Sequence, residues 1–132
     1  MSAEKGAGRE VFEYALLRVV PRVERGETMN AGVVVYCRAR SLVVARTHLD
    51  EERLRALDPG ADLDGVRAAL LAAEGVCHGG VAAGQAADEA PGTRFRWLVA
   101  PRSTVVQPGP VHTGLTSDPE AEAERLLELL VR

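Results

Sequence analysis

The sequence predicts an α+β fold: a single domain with a mainly antiparallel sheet of four or five strands and about three packed helices. Three observations carry that prediction. Residues 12–20 and 31–37 are strand-like runs that are apolar on both faces. Two helical stretches with clear start or stop signals follow them, and a third closes the chain. The length of 132 residues suits one domain, and no segment is long enough to act as a linker between two.

The first strand presents Phe12, Tyr14 and Leu16 on one face and Ala15, Leu17 and Val19 on the other. The second, residues 31–37, includes Val33, Val34, Val35 and Tyr36. Strands apolar on both sides belong in the middle of a covered sheet. Residues 42–46 form a third short strand, and the brief link from Cys37 to Leu42 predicts an antiparallel hairpin. Asp50 then caps a helix, with Glu51 and Glu52 suiting the positive end of its dipole. Leu49 and Leu54 stand at staple positions, and Pro59 stops the helix. A second helix runs from about residue 62 to 74, with Leu63, Val66, Leu70 and Ala73 on one face and Gly75 as its terminator.

Residues 76–93 are rich in Gly and Ala and read as a mobile surface segment, with a short helix near 85–90. Order returns at residues 95–101, FRWLVAP. Residues 103–107 and 111–115 read as short strands broken by Pro108 and Pro110. The last helix starts at SDPE, either with a Ser117–Glu120 capping box or with Asp118 as cap and Pro119 at the first position. Ala123, Leu126, Leu127 and Leu130 form its apolar stripe. Residues 1–10 read as a disordered tail, leaving 11–132 as the domain.

No apolar run reaches the length of a membrane span, and MSAEKGAGRE lacks the basic-then-apolar pattern of a secretion signal. Two cysteines, Cys37 and Cys77, make no disulfide framework, so a cytoplasmic location is expected. Fifteen arginines accompany a single lysine, Lys5, which GC-rich coding explains most simply. Charge is unevenly placed. Residues 9–46 and 93–117 each carry a balance of +3, while 47–92 carry −6 and 118–132 carry −3. The strand-and-loop parts are therefore basic and the helical parts acidic. One end of the sheet is in a position to present Arg22, Arg25, Arg94, Arg96 and Arg102 to an anion; alternatively, the acidic helices pair with these arginines inside the fold.

The charged loop PRVERGETMN, residues 21–30, lies between the first two strands. Polar loops held by a rigid frame are where function concentrates. Glu27, Asn30 and a nearby arginine form either a contact surface or an internal clasp, with Glu27 paired to Arg22 or Arg25 and Asn30 bonding backbone. Signals for chemistry are weak elsewhere. Adjacent Cys77 and His78 chelate poorly, Cys37 reads as apolar filler, and a joint site of Cys37, Cys77, His78 and His112 is not favoured. No metal or cofactor is expected. Ser103 and His112 read as hydrogen-bonding residues at strand ends rather than a nucleophile and its base. The GGVAAG stretch lacks the Lys-Ser/Thr of a phosphate loop. Net charge of −3 and 4% aromatics argue against a nucleic-acid surface.

The phrase FEYALLRVVPRVERGETMNAGVVVYC resembles the opening of the bacterial domain of unknown function 3037 family. It includes R-x-V-P at residues 18–21 and R-G-E-x-x-N-x-G-V at 25–33. FRWLVAPRSTVVQPGPVHTGL resembles that family's second block, especially in actinobacterial members, and the D-P-x-x-E helix resembles its usual ending. The resemblance covers most of residues 12–131. It implies no established activity. It does imply a neighbourhood, since similar members often stand beside HipA-like serine/threonine kinases, which suggests an accessory or regulatory partner. It also draws attention to Arg22, Glu27, Asn30, Arg96, Arg102, Ser103, Gln107 and His112.

The expectation is a small cytoplasmic interaction or regulatory protein, leaning away from an enzyme. Its contact surface is residues 21–30 together with 94–103, and its expected partner is another protein, a HipA-like kinase on the resemblance. The second hypothesis is a phosphate- or carboxylate-binding protein or enzyme. There Glu27 acts as acid or base, Arg96 and Arg102 hold the anion, and His112 shuttles a proton. A nucleic-acid adaptor is a third. A homodimer is expected if the helices cover only one face of the sheet.

Overall fold

The computed structural model describes residues 8–78 and 90–132. In chain order the elements are β1 (Glu10–Val19), β2 (Met29–Cys37), β3 (Leu42–Thr47), α1 (Glu51–Leu57), α2 (Leu63–His78), α3 (Pro91–Leu98), β4 (Val106–Pro108), β5 (His112–Thr116) and α4 (Pro119–Leu130). The fold is α+β, with five strands and, among the described residues, four helices.

All strand pairs are antiparallel, in the order β3-β2-β1, and both β4 and β5 pair with the far edge of β1. β4 covers Leu17–Val19 of that edge and β5 covers Glu10–Tyr14. Between them Gly109, Pro110 and Val111 interrupt the ladder, where proline has no N–H to contribute. Gly109 restores one bond by donating its N–H to the Leu16 carbonyl at 2.8 Å. The β2–β3 hairpin closes where Cys37 faces Leu42, with Ser41 in the left-handed region at φ 49°.

The register of β2 on β1 shifts between Leu17, which faces Gly32, and Arg18, which faces Asn30. Ala31 is the extra residue of a bulge, and the bulge reverses the alternation of faces. Met29 and Ala31 therefore point into the same core as Val34, although their numbers differ in parity.

Each face of the sheet carries its own core. On one side α1, α2 and α3 bring Leu54, Val66, Leu70, Val76, Phe95 and Leu98 onto Leu17, Val19, Val34 and Ala45. On the other, α4 brings Ala123, Leu126, Leu127 and the following Val131 onto Phe12, Val33, Val35, Cys37 and Val44. The strands apolar on both faces are thus covered within one chain, which removes the packing reason for a homodimer.

Both expected acidic caps form. Asp50 accepts from the Arg53 N–H at 3.2 Å, and Asp118 from the Ala121 N–H at 3.2 Å, with Pro119 in the first turn of α4. Asp118, rather than the Ser117–Glu120 box, starts this helix. In its stripe Val131 is buried, whereas Leu130 stays 39% exposed.

Several boundaries differ from expectation. The strand read at 103–107 is shortened to Val106–Pro108 and takes in the proline expected to break it, and β2 starts two residues early at Met29. β1 begins at Glu10, inside the expected tail; residues 1–7 of that tail lie outside the described residues. α2 continues through Gly75 to His78, because Val76 and Cys77 are buried in the core. Pro91, Gly92 and Thr93 open α3 instead of belonging to a loop. The remainder of the expected mobile segment, with most of the short helix near 85–90, falls outside the described residues.

Candidate functional site

The loop between β1 and β2 closes on itself. Arg22 pairs with Glu24 at 3.2 Å, and Arg25 with Glu27 at 2.8 Å. Gly26, at φ 70°, supplies the left-handed turn between Arg25 and Glu27. Asn30 donates its Nδ2 hydrogen to the Leu130 carbonyl at 2.9 Å, tying the start of β2 to the end of α4. Asn30 therefore takes the clasp role, and Glu27 does so through Arg25. Arg22, Val23 and Arg25 nonetheless face solvent. The bond to Arg25 holds the Glu27 carboxyl below the usual carboxylate range. That direction suits a permanent anion better than a general acid or base poised near neutrality.

The loop has a neighbour at the same end of the sheet. The Val20 N–H donates to the Val105 carbonyl at 2.7 Å, joining the loop's entry to the segment after α3. Beside it lies an apolar hollow of about 250 Å³ between α2, α3 and β4. Its walls include Leu17, Ala69, Ala73, Val76, Leu98 and Val106, with Trp97 and Arg102 also lining it. Trp97 is 52% exposed. The Arg102 guanidinium lies over the Trp97 ring, 5.3 Å from its centroid, and donates to the Trp97 and Ala100 carbonyls. Ser103 is exposed next to it. Gln107 bonds the Thr104 carbonyl at 2.9 Å and stands opposite Arg18 in the sheet, which gives it a role in shaping this turn.

Arg96 belongs elsewhere. It is bound to both carboxylate oxygens of Glu13, at 2.8 and 2.9 Å, in an open cleft of about 520 Å³ shared with Tyr36, Arg38, Gly92 and Thr93. His112 is on β5 opposite Tyr14, the two rings 5.2 Å apart. Tyr14 packs against the α4-side core, so His112 and Arg96 are on opposite faces of the sheet. Glu27 precedes β2 beyond the Val19–Met29 pair, whereas His112 faces Tyr14. Five steps of β1 separate those positions, roughly 16 Å at strand rise. Glu27, Arg96, Arg102 and His112 therefore do not share a pocket, and the four-residue site expected from the sequence does not form.

The arginines split in the same way. Arg22, Arg25 and Arg96 have carboxylate partners, Arg94 donates to the Cys77 carbonyl at 2.8 Å, and Arg102 donates to backbone. Arg46 reaches across to Glu124 of α4 at 3.0 Å, one instance of an acidic helix pairing with the basic sheet. Cys37 and Cys77 are buried in the two different cores, with the sheet between them. Burial pushes the Cys77 thiol up to about 12, away from thiolate chemistry. Among the described residues no helix is long and apolar enough to cross a membrane.

A family model described as protein of unknown function (DUF3037) matches residues 14–131, nearly the whole chain. The chain belongs to the DUF3037 family. No curated protein and no solved structure matches it. The DUF3037 match covers the loop, the hollow and the cleft apart from the start of β1, so that Glu13 of the cleft lies just before it.

Sequence reasoning found the loop, Arg96 and Arg102 but passed over Glu13, Tyr36, Arg38 and Trp97. For Trp97 a signal was present: Pro91 at a helix start and Phe95 with Leu98 three apart mark one turn of a buried helical face. That turn sends Trp97 outward. Arg38 carries no comparable signal, since nothing local shows that α3 will cross in front of it.

Proposed function

We propose that this DUF3037 protein is a small cytoplasmic regulatory protein that works by binding another protein, an accessory partner of a HipA-like serine/threonine kinase. The kinase comes from the family resemblance. The binding mode rests on one observation: a half-exposed Trp97, with Arg102 stacked on it, at the rim of an apolar hollow.

Tryptophan and arginine beside a concave apolar surface are the residue types that dominate interface energetics. The hollow accepts an apolar side chain of the partner, and Trp97 covers it from water. Arg22, Val23 and Arg25 stand exposed on the loop whose entry is joined to Val105 beside the hollow. Their charges set orientation and encounter rate more than affinity, because each arginine already has a neighbouring carboxylate. A nucleic-acid adaptor draws no support from arginines paired in this way. The test is direct binding of the purified chain to a purified HipA-like kinase, with Trp97→Ala as the decisive variant.

A further inference from the structure

The cleft that holds Arg96 is separate from the hollow and does not depend on the partner reading. It lies where β1 begins and β2 ends, in front of the first turns of α3. Glu13, Tyr36, Thr93 and Arg96 line it together with Arg38. A second depression of about 640 Å³ continues from it past Glu13, Tyr36 and Arg38 to Val11 and Ala39, so the two form one groove.

Charge within the groove is unbalanced. Arg96 and Glu13 neutralise each other, and Glu10 is engaged by Arg40 at 2.5 Å. Arg38 is exposed, and its guanidinium has no ion-pair or hydrogen-bond partner among the described residues. Among the described residues one positive charge is left in a concave surface that also offers the Tyr36 and Thr93 hydroxyls. Arg96 still has donors to spare, because its bonds to Glu13 use only Nη2 of a group with five N–H donors. Two guanidinium forks on one concavity suit a single oxyanion held by charge-assisted bonds.

Packing keeps the groove in this shape. The Tyr36 ring stacks on the buried Phe95 at 5.3 Å, fixing the wall between β2 and α3. A Cβ on Gly92 would come within 2.7 Å of the Tyr36 hydroxyl, so glycine is what lets α3 sit this close to the strand. Beyond Arg38, Val11 is 60% exposed and gives the far part of the groove an apolar wall.

We infer that the groove binds a small molecule carrying one carboxylate or phosphate group, with Arg38 as principal ligand and Arg96 and Tyr36 beside it. Glu13 limits the affinity by competing for Arg96. The experiment titrates the full chain with inorganic phosphate and, separately, with butyrate in the millimolar range, following amide and guanidinium resonances by NMR. Shifts centred on Arg38, Tyr36 and Arg96 are expected. Arg38→Ala, which removes no side-chain hydrogen bond or ion pair of the described residues, should weaken binding roughly tenfold. Glu13→Gln should strengthen it, and its amide spectrum reports whether the fold is intact. Response to phosphate alone identifies a phosphate ester, and response to butyrate alone a carboxylate with an apolar body along Val11. No response to either probe, binding undiminished in Arg38→Ala, or weaker binding in a folded Glu13→Gln would overturn the assignment.

Discussion

Arg102 lies over the ring of Trp97, 5.3 Å from its centre, while its guanidinium also bonds the Trp97 carbonyl. The two residues hold each other in place at the end of α3. Such an arrangement is worth about 0.5–1 kcal/mol at an exposed site, too little to make it a folding determinant. Its consequence is positional: a large aromatic group is held out in solvent beside an apolar hollow.

Asn30 joins the start of β2 to the last turn of α4, across 100 residues of chain. Asn30→Ala should lower stability by about 1 kcal/mol, measured by urea denaturation, with partner binding unchanged at saturating protein. Weakened binding with an unaltered denaturation midpoint would give Asn30 the contact role instead of the clasp.

Gly114 stands opposite Phe12, and a Cβ there would approach the Phe12 ring to 2.7 Å. Phe12 is buried beneath α4, so the ring has little room to yield. Gly114→Ala should therefore destabilise the fold by about 1–3 kcal/mol in thermal or chemical unfolding. The neighbouring Leu115, 53% exposed, is the control: Leu115→Ala should change stability much less.

Glu27 provides a pH test of the loop. Its folded-state carboxyl is held below the ordinary 4.5 by Arg25. A depressed carboxylate contributes stability that is present above the unfolded-state pKa and lost as pH falls through the folded-state value. Carboxyl NMR should give Glu27 a midpoint below 4.5, returning towards it in Arg25→Ala. An ordinary midpoint in the parent chain would mean that the loop pair does not persist in solution.

Legibility of the fold followed how local its causes are. β1, β2 and β3 are readable because their double-faced apolar pattern has one structural solution, and α1 and α4 because Asp50 and Asp118 announce them. α2 overran Gly75 because a helix glycine costs only about 1 kcal/mol, which burial of Val76 and Cys77 offsets. The bulge at Ala31 is a response to tertiary pairing with β1, and its local sign is only the neighbouring Gly32, a glycine inside a strand run. The site follows the same rule. The loop was visible as a charged connection between apolar runs. The groove joining Glu13, Arg38 and Arg96 depends on α3 packing across two strands, a juxtaposition that no local pattern contains.

The central claim is that Trp97 and its hollow form the partner-binding surface. The measurement that tests it most directly is calorimetric titration of a purified HipA-like kinase with the intact chain and with Trp97→Ala, alongside melting curves of both. Binding by the parent chain and at least a roughly tenfold loss in Trp97→Ala are expected, with little change in melting, as for an interface anchor. Absence of binding by the parent chain, or equal binding by both proteins, would contradict it.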